Sequence, residues 1–184
     1  MKHHAAIFTL ALCCGLFSTL ASAEITGTSS LTATFVTTII PGTCNASVKN
    51  AAGEDATDIN FGDVFKSDLI NKSRVEAFKI NFTNCSGVVS AKVTATPGAG
   101  GACSTAASDK FGATHNVAFE IWKGTAGAET QLSCKNPVAQ VVKLAPGSGS
   151  LDMNARIVIA DDKTIGDVTT GTVTSPVTFT VTYQ

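Results

Sequence analysis

Gly171-Thr-Val-Thr-Ser-Pro-Val-Thr-Phe-Thr-Val-Thr-Tyr-Gln184 closes the chain and decides how the rest is read. Val173, Val177, Phe179, Val181 and Tyr183 take odd positions, while threonines hold 172, 174, 178, 180 and 182. Strict alternation sends the two sets to opposite faces of an extended strand. β-Branched residues, which fit a pleated and half-buried surface, fill most of both sets. The pattern predicts one strand along the whole stretch, with one edge to be paired by an earlier strand, covered, or left for another chain.

Working outward from it, further alternating runs appear. Phe78, Ile80 and Phe82 alternate with polar residues into Cys85; Val89, Ala91, Val93 and Ala95 repeat the pattern up to Pro97-Gly98. Ile59-Asn-Phe-Gly-Asp-Val64, Val117 to Ile121, Val141 to Leu144 and Met153 to Ala160 complete a set of seven candidate strands. Residues 45–58, 98–110 and 123–136 read as loops, and Pro146-Gly-Ser-Gly-Ser150 as a tight connection. No segment carries a helical period. Short strands with regular turn signals predict an all-β sandwich.

The formal charge is −1, with 15% charged and 44% hydrophobic residues. That balance excludes disorder and leaves no electrostatic footprint for nucleic acid. Lys2, an apolar run to Leu20 and Ala21-Ser22-Ala23 read as an export leader over residues 1–23. Four cysteines follow it: Cys44, Cys85, Cys103 and Cys134. An even number in an exported chain points to disulfides, and three pairings are open. His115 is the one histidine after the leader, and neither a metal-binding nor a nucleophile motif is present. No cofactor, metal or catalytic residue is expected, and the chain does not read as an enzyme.

The closing strand, with Tyr183 second from the end and Gly171 fourteenth, resembles the terminal motif of chaperone–usher pilins, the subunits of type 1-like fimbriae. Leu31 to Cys44 is similar to that family's first strand with its cysteine, and Ile59-Asn-Phe-Gly to another recurrent element. Ile157 stands where the family has a tyrosine. The resemblance implies an incomplete immunoglobulin-like β-sandwich over 33–184, lacking its last strand, behind an N-terminal donor-strand extension at 24–32. It implies a Cys44–Cys85 disulfide in the family's usual place, leaving Cys103–Cys134 as the second pair.

The same resemblance implies a groove beside Gly171, Val173, Val177, Phe179, Val181, Tyr183 and Gln184, and a donor strand carrying Ile25, Gly27, Ser29 and Leu31. It implies three kinds of partner: a periplasmic pilus chaperone, an outer-membrane usher, and neighbouring pilin subunits in the fibre. The expected role is a structural subunit of an adhesive fimbrium, exported through the periplasm to the cell surface. The alternative is a minor or tip-proximal pilin that binds a host glycan or protein itself, for which Trp122 and the loops near Cys103 and Cys134 are the candidates.

Overall fold

The computed structural model describes residues 34–184. The leader and the expected donor residues Ile25, Gly27, Ser29 and Leu31 lie outside them. Residues 34–42 form no strand. Ile39–Gln184 make one compact unit of nine strands, one short α-helix and one 3-10 turn at Thr114–Asn116.

The strands are β1 (Thr43–Asn50), β2 (Val75–Ser86), β3 (Ser90–Pro97), β4 (Phe111–Gly112), β5 (Val117–Lys123), β6 (Thr130–Leu132), β7 (Gln140–Lys143), β8 (Ser148–Ile159) and β9 (Val177–Tyr183); the helix, α1, is Lys66–Asn71. One sheet runs β1-β2-β8-β5-β4 with β6 also on β5, and the other runs β7-β3-β9. Every pairing is antiparallel.

Alternation explains how the sheets face each other. Phe78, Ile80 and Phe82 of β2 and Leu151, Met153 and Ala155 of β8 turn inward from the larger sheet. Ala91, Val93 and Ala95 meet them from β3, with Val177, Phe179, Val181 and Tyr183 of β9 half-buried beside them. A second cluster, Leu69, Val117, Ile157 and Val168, lies under α1. The disulfides are Cys44–Cys85, joining β1 to the end of β2, and Cys103–Cys134.

Several expectations are corrected. The first described strand starts at Thr43 and runs through residues read as a loop, because β1 pairs with β2 from Thr43↔Ser86 to Asn50↔Phe78. Ile59–Val64 is not a strand. The Asn60 side chain takes the Gly62 N–H at 2.7 Å, and Arg74 donates to the Phe61 carbonyl, so the backbone serves a turn and a side chain rather than a ladder. β8 begins at Ser148, inside the residues read as a tight connection.

A helix with no long-range period forms at α1. Asp68 accepts from the Phe65 N–H at 2.9 Å, Leu69 anchors the inner face, and Lys72 ends it in the left-handed region at φ 51°. At six residues it is too short to show a period. The last strand, finally, starts at Val177 and not at Gly171.

Candidate functional site

β9 pairs with β3 along one edge, from Ala91↔Tyr183 to Pro97↔Val177. No described strand pairs with its other edge. A groove of about 1300 Å³ opens there. Residues 168–179 form one wall, the turn-rich stretch 57–66 forms the other, and Phe78, Val117, Phe119, Ile121, Ala155 and Ile157 supply the floor. Phe61 and Phe119 meet across it at 5.1 Å between ring centroids. The cleft is therefore apolar along its floor with unused backbone groups along one rim, the chemistry that takes an added strand.

Hydrogen bonding explains why the wall leaves the sheet before Val177. The Thr114 hydroxyl donates to the Thr172 carbonyl at 3.1 Å, and the Ser175 hydroxyl to the Gly112 carbonyl at 2.8 Å. Pro176 has no N–H, and its carbonyl accepts from Gly98 at 2.8 Å. Position 171 has φ +151°, and a Cβ there would strike the His115 imidazole. His115, itself at φ 61°, bonds the Thr169 hydroxyl through Nδ1 at 2.8 Å. The turn 112–116 thus fastens the groove wall from behind, and glycine at 171 leaves room for the fastening ring.

The odd residues divide along the wall. Val173 packs with the second cluster beneath α1. Phe179 lies 5.9 Å from Phe78, and Val177 and Val181 line the main core. Tyr183 stands edge-on to Phe82 at 6.4 Å and donates its hydroxyl to the Cys44 carbonyl at 3.0 Å, which ties the end of β9 to the first disulfide. A terminal oxygen of Gln184 accepts from Val89 and Ser90 at 2.9 and 3.1 Å. Gly171 is exposed at the far end. The 112–116 fastening, by contrast, carries no periodic signal that sequence reading could use, and the alternation of Ile59–Val64 points to a strand rather than to the groove wall it forms.

Two polar clusters lie outside the groove. Glu120, 5% exposed, takes the Arg156 guanidinium at 2.8 and 2.5 Å and the Trp122 indole N–H at 3.2 Å. Arg156 also sits 5.6 Å from the Trp122 ring centre, so this indole is engaged by its own sheet. Asp161 pairs with Lys110 at 2.5 Å and accepts from Ser108. Burial alone would raise the Asp161 pKa, but the bonds from Lys110 and Ser108 and the lysine charge together lower it from 3.8. Among the described residues no His, Cys, Asp or Glu group has a metal-binding arrangement.

No family model matches the chain. It is 35% identical over 194 residues to the fimbrial-like protein YadL of Escherichia coli strain K12, covering 96% of this chain and 94% of that protein. Two solved structures share the fold. The P pilus rod subunit PapA is 19% identical with a TM-score of 0.53, over 76% of this chain and 99% of PapA. A chain from a chaperone–usher pilus structure concerned with rod uncoiling is 20% identical with a TM-score of 0.54, over 85% and 96% of the two chains.

Proposed function

The chain belongs to the chaperone–usher pilin family, and from that premise we propose that the groove beside β9 is filled by a strand from outside the domain. The protein is a structural subunit of a fimbrium at the cell surface. Before assembly the strand comes from a periplasmic chaperone; in the fibre it comes from the residues ahead of a neighbouring subunit's sandwich, delivered at an outer-membrane usher. Residues 1–23 act as the export leader.

The observation that carries this reading is the unpaired edge of β9 above an apolar floor. Strand addition satisfies the edge and buries alternate side chains, the mode for which chaperone–pilin pairs are a standard example. Four or five apolar side chains, at roughly 1.5–3 kcal/mol each, contribute on the order of 10 kcal/mol. That rivals the entire stability of an ordinary domain, about 5–15 kcal/mol, so the open subunit is marginal and the filled one is not.

The test is a chain with residues 24–40 repeated after Gln184 through a short flexible linker. A tethered strand acts at roughly millimolar effective concentration. The expected product is a monomer by size-exclusion chromatography that melts well above the open subunit. A graft that melts no higher sinks the reading.

A further inference from the structure

Residues 98–116 run behind the groove wall and are bonded to it at successive points. The Gly98 N–H donates to the Pro176 carbonyl, Ser175 to the Gly112 carbonyl, and Thr114 to the Thr172 carbonyl. His115 holds the Thr169 hydroxyl, and the Asn116 amide donates to the Asp167 carbonyl at 2.8 Å. The stretch is also folded on itself. The Ser104 N–H bonds the Lys110 carbonyl at 2.9 Å and the Gly112 N–H the Ala102 carbonyl at 2.8 Å, with Cys103 paired to Phe111 between them. Its returning arm is fixed to the larger sheet, because Phe111 and Gly112 pair with β5 and Lys110 with Asp161. Beyond Gly98 the outgoing arm, 98–104, is held to the rest of the domain by the Ser104 hydroxyl, which accepts from the Asp161 N–H at 2.8 Å, and by the Cys103–Cys134 bridge. Cys134, 4% exposed, follows β6 and so leads back to β5. Neither cysteine lines the groove.

Resting on the donor-strand reading, we propose that Cys103–Cys134 is a positioning disulfide for strand uptake. It clamps the outgoing arm, and the folded segment in turn holds residues 167–176 where an added strand needs them. Each fastening of that wall is a single hydrogen bond of modest net strength. They hold the wall together only while the segment behind it is itself fixed. A wall ordered in advance spares the incoming strand the cost of ordering it, which is how preorganisation raises affinity. The two disulfides thus divide the work. Cys44–Cys85 joins β1 to β2 beside Tyr183 and fixes the sandwich, while Cys103–Cys134 fixes the rim of its groove.

The test uses the mature chain and the C-terminal graft, each with Cys103→Ala and Cys134→Ala together. Hydrogen exchange at the Gly98, Gly112 and Thr169 amides should quicken about tenfold, while the β2–β8 ladder keeps the protection of the parent. The rise in melting temperature that the graft gives over the open chain should shrink by about 4 °C. Ser175→Ala leaves the bridge intact and should shrink that rise likewise, yet add little to the double cysteine variant. Exchange that quickens equally along β2 and β8 overturns the proposal, because the bridge then stabilises the whole sandwich. An undiminished gain from the graft overturns it, and so does a full Ser175→Ala effect on top of the cysteine changes. A parent graft that melts no higher than the open chain removes the donor-strand reading instead, and exchange at the three amides then decides whether the bridge holds the wall.

Discussion

Truncating Phe179 to alanine distinguishes an open groove from a filled one. The ring faces Ala95 across the ladder, touches Phe78 at 5.9 Å, and lines the cleft while half-buried. Full burial makes Phe→Ala cost about 3–5 kcal/mol. With the groove open, roughly half of that burial is in place, so about 2 kcal/mol is at stake; with the groove filled, about 4. At about 3 °C per kcal/mol for a domain of this size, melting should fall by ~6 °C in the open subunit and ~12 °C in the C-terminal graft. Thr180→Ala, on the exposed outer face, should change either form by under about 0.5 kcal/mol. Differential scanning calorimetry of the four variants and two parents decides it. Equal losses from Phe179→Ala in the two forms would refute the claim that the added strand covers this ring.

Two further outcomes are expected. Arg156→Met or Glu120→Gln alone should cost about 3–5 kcal/mol in urea unfolding of the grafted monomer, because each leaves a buried charge unpaired, and the double variant should recover most of that loss; strict additivity would argue against the pair. Asp161→Asn should lower stability by about 1 kcal/mol at neutral pH. The folded carboxyl sits below its ordinary 3.8, so its contribution is present above that pH and disappears as the pH falls through the folded value. Urea midpoints for the two proteins should converge in acid, and a constant gap would contradict the assignment.

Local sequence determined whatever depends on a strand's own alternation. Phe78, Ile80 and Phe82, or Val177 through Tyr183, have one face to bury whichever strand they pair with, so their inward side was legible before any partner was known. The all-β sandwich followed from several such runs, and the family resemblance brought the missing strand and the first disulfide. Tertiary structure decided what depends on distant partners. Ile59–Val64 alternates like a strand, but Arg74, thirteen residues beyond Phe61, claims its carbonyl and leaves it as a groove wall. Asn45 to Asn50 looks like a loop, yet β2 supplies a ladder for it. Residues 171–176 continue the alternation of β9, but the 112–116 turn takes their polar groups, more than fifty residues away in the chain. A backbone carbonyl bonds whatever donor the fold brings nearest, and side-chain periodicity does not record which donor that is.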